Sequence, residues 1–170
     1  VEQAGPRRVL RTLVEDLLDA AGPADRTLIA QLGRLPLLSG AVVALVGGPG
    51  GLDRLLDLGL PVRFRPDGWG ELPDPVRELL PTAAIDPTVA RQVAALYAER
   101  DALGEAAALL RDVEDPEGLA ALLGSVGREA LVAAGVVMMA AVAWELPDPV
   151  LASTPGLLVH LVQAAERRPK

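Results

Sequence analysis

Few residues in this chain have the chemistry of a catalyst or a metal ligand. There is no cysteine, and the single histidine, His160, stands in an apolar stretch between Val159 and Leu161. A thiolate nucleophile, a disulfide bond and a Cys/His metal site are therefore excluded. No Ser/His/Asp set and no pair of carboxylates has the spacing of an active site. We expect no enzyme activity, no metal ion and no cofactor.

A glycine-rich loop at residues 47–51 (GGPGG) precedes a predicted helix, as the loops that cradle phosphate groups do. A Walker loop ends in Gly-Lys followed by Ser or Thr, whereas Gly51 is followed here by Leu52 and Asp53. The carboxylate of Asp53 would repel a phosphate. The sequence therefore indicates a plain turn at this loop.

Residues 62–72 (VRFRPDGWGEL) have the pattern of a β-hairpin. The first four alternate apolar and charged side chains, Pro-Asp-Gly suits a three-residue connection, and the last four form the return strand. Pairing across this loop places Arg63 opposite Glu71 and Arg65 opposite Trp69. An ion pair and a cation–π contact are expected on this outer face, where Arg65 and Trp69 are candidate interface residues.

The other face of the hairpin should point into the core. Alternate residues of a strand share a face, so we expect Val62, Phe64 and Leu72 to turn inward together. Phe64 would then be a buried aromatic side chain.

Apolar residues recur at helical spacing on both sides of the hairpin. Before it, helices are predicted from about residue 7 to Gly22, from residue 23 with a buried face, over residues 41–46 with Ser39 as N-cap, and over 52–58. The buried face of the second is Leu28, Ile29, Leu32 and Leu35.

After the hairpin, four helix starts share Asp as the predicted N-cap followed by Pro. They are Asp74, Asp86, Asp115 and Asp148, and the hexapeptide ELPDPV contains the first and the last. Between them lie apolar faces at Val89/Val93/Leu96, Leu103/Ala107/Leu110 and Leu119/Leu122/Leu123. We interpret the repeated hexapeptide as one capping solution used twice.

Helices before a single hairpin and a helix after it are typical of a winged helix. The predicted fold is mainly α. Residues 1–83 form an N-terminal helix and a winged-helix module with one β-hairpin wing, and residues 84–170 form an arm of short helical hairpins like those of tetratricopeptide (TPR) repeats.

The net charge of −7 is concentrated in the second half: residues 86–148 contain eleven acids and four arginines. Helix 52–58 stands where a winged helix would carry its recognition helix, yet its polar residues are Asp53, Arg54 and Asp57. DNA readers present cations and amides there. We expect no nucleic acid to bind this chain.

Three runs lack charge, at residues 35–52, 130–144 and 149–165. The first and third contain Pro and Gly, and the second is shorter than the ~20 residues that a membrane span needs. No signal peptide is recognisable, and the chain begins at Val1. We expect a fragment of a longer cytoplasmic protein without a membrane segment.

The run 130–144 is apolar around its whole circumference. Such a helix needs cover on two sides, so Val136, Met139 and Trp144 are candidate interface residues. A homodimer through the C-terminal helices is the expected result.

The stretch LDRLLDLGLPVRFRPDGWGELPDPVREL resembles the winged-helix segment of the STAND signal-transduction ATPases, which include the maltose-regulon activator and large ATP-binding regulators with LuxR-type ends. VARQVAALYAERDALGEAAALLRDVEDPEGLAALL resembles the helical-repeat arm that follows it there. The resemblance covers most of residues 25 to about 134.

The resemblance implies a non-catalytic regulatory segment that couples a nucleotide switch to a sensor arm, with other domains of its own parent protein as partners. In the family, a winged-helix histidine contacts the nucleotide; Pro73 stands at that position here. Two alternatives remain open: a helical domain that encloses a small apolar molecule, and an autonomous DNA-binding winged helix.

Overall fold

The computed structural model describes residues 5–125, 143, 145–157 and 159. These residues are mainly helical, with one two-stranded antiparallel sheet, which confirms the predicted mainly-α class. The chain divides into two compact units, Val1–Ile85 and Asp86–Lys170. No helix in the described ranges combines the length and apolarity that a membrane crossing requires.

Unit 1 contains five helices and the hairpin among its described residues. They are α1 (Pro6–Ala20), α2 (Pro23–Leu32), α3 (Gly40–Gly47), α4 (Gly51–Asp57), β1 (Arg63–Phe64), β2 (Gly70–Glu71) and α5 (Asp74–Arg77). Proline opens α1 and α2, where its missing N–H costs no helical hydrogen bond. Ser39 caps α3 as predicted, because its hydroxyl accepts a hydrogen bond of 3.3 Å from the Val42 N–H.

The core of unit 1 is aliphatic. All four residues of the predicted inner face of α2 and its continuation are buried, with at most 3% of each side chain exposed. Helix α2 contacts α3 and α4. The other buried residues of this core include Leu38, Val42, Val43, Leu55, Leu60, Leu72 and Val76.

The register of the hairpin is as predicted, with Arg63 opposite Glu71 and Phe64 opposite Gly70. One further partner joins it: Leu38, between α2 and α3, forms an isolated antiparallel bridge with Gly70. Each of these two residues donates its N–H to the other's carbonyl oxygen at 2.8 Å. The hairpin is therefore attached to the helices through backbone hydrogen bonds.

The predicted faces of the hairpin are partly wrong. Leu72 is buried, but 44% of Phe64 is exposed. Leu38 and Leu72 already fill the interior beside the hairpin, so the Phe64 ring lies over Gly70, where an added Cβ would be 3.0 Å from the ring. Glu71 pairs with Arg65 at 3.2 Å, along the diagonal of the ladder, and not with Arg63 directly opposite.

Unit 2 contains α6 (Pro87–Glu99), α7 (Leu103–Asp112), α8 (Pro116–Ser125) and α9 (Asp148–Ser153) among its described residues. Helix α7 packs against both α6 and α8, and α9 packs against α8. The predicted inner residues of α7 are buried, as are Leu119 and Leu123 of α8. On α6 the buried face is Ala90, Val93, Ala94 and Tyr97, so Val89 and Leu96 are only half-buried at its edges.

The four Asp-Pro helix starts fall into two classes. Asp86 accepts hydrogen bonds from the N–H groups of Thr88 (2.8 Å) and Val89 (3.4 Å), and Asp115 accepts one from Gly118 (3.0 Å), so both cap as predicted.

At the two ELPDPV sites, the prediction of an Asp cap is wrong. Pro73 and Pro147 are the N-caps, and Asp74 and Asp148 are the first helical residues without side-chain caps. Each proline is held at φ near −57° in an extended conformation (−55° and −59°), and its carbonyl accepts the first helical hydrogen bonds. Because the proline before each Asp takes the N-cap position, both helices start one residue earlier than predicted.

Candidate interaction surface

Two of the five predicted interface residues lie in the hairpin. The Arg65 N–H donates to the Trp69 carbonyl oxygen at 2.6 Å, and the Trp69 N–H donates to the Asp67 carboxylate at 3.1 Å. About half of the Arg65 side chain and of its partner Glu71 is exposed. These contacts hold the connection of the hairpin in place and leave both charged groups accessible to a partner.

The other three, Val136, Met139 and Trp144, lie outside the described residues, as does His160. Association through the C-terminal helices therefore stays a prediction.

The glycine-rich loop has the geometry of a tight helix–helix connection. Gly48 and Gly50 have φ angles of 80° and 70°, which side chains rarely adopt, and Gly50 is the N-cap of α4. A Cβ at Gly47 would collide with the side chain of Leu28. Turn geometry and close packing thus account for these glycines without a phosphate.

Helix α4 presents acids to solvent. Asp53 and Asp57 are exposed. Its one cation, Arg54, lies 3.3 Å from the Asp25 carboxylate and donates a hydrogen bond to the Pro49 carbonyl oxygen at 3.4 Å. The cation is therefore already engaged within unit 1, and the outward charge of α4 is negative.

An apolar groove runs beside α1, and we call it the α1 groove. It has a volume of about 640 Å³, and its walls come from α1, the segment 58–63 and the segment 73–76. The main apolar lining residues are Leu10, Leu13, Leu17, Leu58, Pro61 and Pro73. Leu13 is 58% exposed and Val9, one turn earlier, is 49% exposed. Asp16 and Arg63 supply the charged groups of its wall.

The helical periodicity that predicts α1 did not reveal this groove. Only Val14 and Leu17 are below a tenth exposed. A signal was present: the apolar residues from Val9 to Leu18 span about half of the helix circumference at 100° per residue, which is wider than one packed stripe. Such a width indicates two contact surfaces.

Unit 2 has an acidic cleft of about 500 Å³ between α7, the start of α8 and residues 145–146. Its carboxylates come from Asp112, Glu114, Asp115 and Glu145. Arg111 engages Glu145 at 2.6 Å, and Asp115 is engaged by an arginine of α6. Within the described ranges no group of three side chains is arranged to hold a metal ion. The cleft is therefore an ion-paired surface and not an apolar ligand cavity.

The ion pair of Asp115, one of the residues that line this cleft, is bidentate. Arg91 donates to the two oxygens of Asp115 from Nε at 2.5 Å and from Nη2 at 2.7 Å. These hydrogen bonds, with that from Gly118, lower the pKa of the Asp115 carboxyl, although its burial acts in the opposite direction. The same contact raises the pKa of Arg91. Both groups are therefore charged at neutral pH, and the pair joins α6 to the start of α8.

Among the described residues, the candidate sites are thus the hairpin, the α1 groove and an ion-paired cleft. No protein-family model, no curated protein and no solved structure matches this chain.

Proposed function

We propose that this chain is a non-catalytic regulatory and interaction segment of a STAND-like signalling or transcription regulator. In this proposal unit 1 is a winged helix that acts through protein contacts, and unit 2 is the start of a TPR-like sensor arm. The partners are other domains of the same cytoplasmic parent protein, and the segment couples a nucleotide switch to the arm.

The observation that carries the proposal is the order of elements in unit 1. A helix (α2), a short strand-like segment at Leu38, two helices (α3 and α4) and a hairpin follow one another, and Leu38 pairs with the return strand at Gly70. This order agrees with that of a winged helix, in which β1 and β2 would be the wing. The pairing at Leu38 supports it independently of the resemblance in sequence.

The charge on α4 supports contact with protein and not with DNA. In a winged helix α4 would occupy the recognition position, yet it exposes Asp53 and Asp57, and its Arg54 pairs with Asp25. Association with the phosphate backbone depends on free cations. The surface of α4 is therefore unsuited to a major groove.

Pro73 stands where the resembling family carries a histidine, and its properties also favour a structural role for this residue. Pro73 is the N-cap of α5 and has no side-chain donor. A direct nucleotide contact at this position is not part of the proposal. Unit 1 would report the state of a nucleotide through its surface and not through this residue.

The ligand-sensing alternative is less well supported. Four of the ten residues that line the cleft in unit 2 are carboxylates and one is Arg111, whereas pockets for apolar molecules are lined mainly by apolar side chains. An autonomous DNA-binding module is the other alternative, and the experiment below separates it.

The test is fluorescence anisotropy with labelled duplexes at low salt. We expect no specific binding by the natural chain. Asp53→Lys/Asp57→Lys is the positive control: the reversed charge should create weak, salt-sensitive binding if α4 faces outward as described. Sub-micromolar specific binding by the natural chain would establish the DNA-binding alternative instead.

Thermal shift with ATP, ADP and a metabolite set completes the test. We expect no stabilisation by nucleotides, since no Walker lysine is present. A Walker motif upstream in the parent sequence, and binding of that ATPase domain to this chain in trans, would support the proposal; a parent without such a motif would contradict it.

A further inference from the structure

One edge of the two-stranded sheet has no neighbouring strand among the described residues. The strand order is β1–β2, and Leu38 pairs with Gly70 of β2. Strand β2 therefore has a partner on each side, whereas β1 is paired on one side alone. Residues 63–68 are all exposed, so the open edge of β1 lies at the surface. An open strand edge is a template for pairing with another chain.

The hydrogen bonds of Gly70 determine which backbone groups of β1 point outward. Its N–H and its carbonyl oxygen both bond to Leu38 at 2.8 Å, so Phe64 and Gly70 form a ladder pair without mutual hydrogen bonds. The next residue along β1, Arg65, donates across the ladder to the Trp69 carbonyl oxygen. Because these directions alternate along a strand, the N–H and the carbonyl group of Phe64 point away from β2. Within the described ranges neither group has a hydrogen-bond partner.

The two faces of β1 differ in chemistry. Phe64, which carries the outward backbone groups, is 44% exposed. Its neighbours Arg63 and Arg65 lie on the opposite face, and both are exposed. Glu71 pairs with Arg65, and Arg63 makes no ion pair within the described ranges. A strand added at this edge would therefore meet an apolar ring on one face and two guanidinium groups on the other.

These charges select the occupant of the edge. A second copy of the chain, paired through Phe64 of each copy, would place Arg63 of one opposite Arg65 of the other. Like charges directly opposite each other destabilise a strand pair. A segment with an apolar residue opposite Phe64 and an acid on each side of it would instead place one carboxylate opposite each arginine. Opposite charges in directly facing positions stabilise a strand pair.

We propose that the open edge of β1 binds an extended acidic segment of another domain of the parent protein by antiparallel strand addition. The segment has the pattern acid–apolar–acid, and its apolar residue exchanges two backbone hydrogen bonds with Phe64 and covers the exposed ring. Its two acids face Arg63 and Arg65. In this mode of recognition the main-chain hydrogen bonds supply affinity and the side chains supply specificity. The inference rests on the proposed function, because it names the kind of segment that unit 1 contacts.

The shortness of the edge sets the expected affinity. Strand β1 comprises two residues, of which Phe64 carries the outward backbone groups. The contact is therefore smaller than the ~1,200 Å² below which weak, transient encounters lie. We expect a dissociation constant on the order of 100 μM for an isolated peptide.

The first experiment is a titration of the isotopically labelled 170-residue chain with the peptide GSTEVETSG, followed by amide chemical shifts in NMR spectra. We expect saturable shifts at the amides of Phe64 and its neighbours. The peptide GSETVTESG has the same composition and is the register control, because its acids then lie on the face of the Phe64 ring. It should bind at least about fivefold more weakly.

Selective N-methylation of the peptide tests the strand addition itself. A methyl group on the central valine nitrogen of GSTEVETSG removes the donor that faces the Phe64 carbonyl oxygen, and binding should be lost. Methylation of the following glutamate nitrogen is the matched control, because this N–H points away from β1 in the antiparallel pair. This peptide should bind as the unmodified one does.

Charge reversal tests the direction of the added strand. Arg63→Glu should weaken binding of GSTEVETSG at least about fivefold and should restore it for GSTEVKTSG, whose lysine lies opposite residue 63 in an antiparallel pair. Arg8→Glu is the matched control, because it makes the same charge change at an exposed arginine of α1. It should leave both affinities unchanged. Circular dichroism should show both variants folded, and the methylation test uses the natural chain and does not depend on them.

Three results would overturn the proposal. The Phe64 amide could stay unshifted up to about 2 mM peptide, roughly twenty times the expected dissociation constant. The register control could bind as tightly as GSTEVETSG, or methylation of the central valine could have no effect. None of these results decides the proposed function, which depends on binding of the ATPase domain in trans. A parent without a Walker motif would contradict that function and leave the peptide results unchanged, so the two failures are distinguishable.

Discussion

Gly118 lies so close to Asp115 that a Cβ atom on the glycine would stand 2.8 Å from the carboxylate carbon. The same atom would be 2.9 Å from Nε of Arg91, which donates to that carboxylate. The Gly118 N–H itself donates to Asp115 at 3.0 Å. The absence of a side chain at this helix position therefore permits the ion pair that joins α6 to α8.

Gly118→Ala should destabilise unit 2 by about 1–3 kcal/mol, because either the ion pair or the helix must move to admit the methyl group. Gly40→Ala is the matched control, since open space surrounds Gly40 in the first turn of α3. It should be neutral or should stabilise by up to ~1 kcal/mol. Urea unfolding followed by circular dichroism measures both. If Gly118→Ala and the natural chain had equal free energies of unfolding, the described geometry would be contradicted.

The Asp115 carboxyl should make the stability of unit 2 depend on pH. Its pKa in the folded chain is below its ordinary value, mainly because Arg91 donates to it. The unfolded carboxyl has a pKa of about 3.9. Its stabilising contribution is therefore fully present above pH ~4 and is lost as the pH falls through the lower, folded pKa.

Asp115→Asn should cost about 1–3 kcal/mol at pH 7, as expected for lost hydrogen bonds to a charged group, and the difference from the natural chain should shrink below pH ~4. Asp101→Asn is the control. Asn tolerates the left-handed conformation of Asp101 (φ 62°), so this variant changes a carboxylate to an amide without straining the backbone. A difference that stays constant from pH 7 to about pH 2 would exclude the ionised pair as its cause.

The two classes of Asp-Pro helix start should respond differently to the same substitution. Asp86→Ala removes a side chain that accepts two backbone N–H groups and should cost about 1 kcal/mol. Asp74→Ala removes no cap and only a 3.7 Å pair with Arg77, so its cost should stay below about 0.5 kcal/mol. Thermal and urea unfolding measure the stability of both variants. Equal losses of stability would show that both residues are caps, contrary to this prediction.

The hairpin should depend on Leu72 more than on Phe64. Leu72 is 1% exposed, and Leu72→Ala should cost about 2–5 kcal/mol through the cavity it leaves. Phe64 is 44% exposed, and Phe64→Ala should cost about 1 kcal/mol, because much of the ring is already in water. Chemical denaturation that ranks Phe64→Ala as the more damaging change would show that the ring is buried in solution.

Local features of this protein follow from its sequence. The helix of Leu28, Ile29 and Leu32, the Ser39 cap and the hairpin register each depend on residues within about one helical turn or one loop of each other. Periodicity, cap chemistry and turn chemistry act over that distance. The repeated ELPDPV already marks two similar helix starts, although the role of its Asp depends on the conformation of the proline before it.

The tertiary structure decided the contacts between residues that are distant in the chain. Leu38 reaches Gly70 across two helices and, with Leu72, leaves Phe64 outside. Asp115 is paired with an arginine 24 residues away, and this partner, not helix propensity, accounts for the glycine at 118. The width of the apolar face of α1 can be read from the sequence. Only the packing shows which part of that face is buried and which part lines a groove. Periodicity reports that a face is apolar; the neighbours that cover it are set by how the helices pack in space.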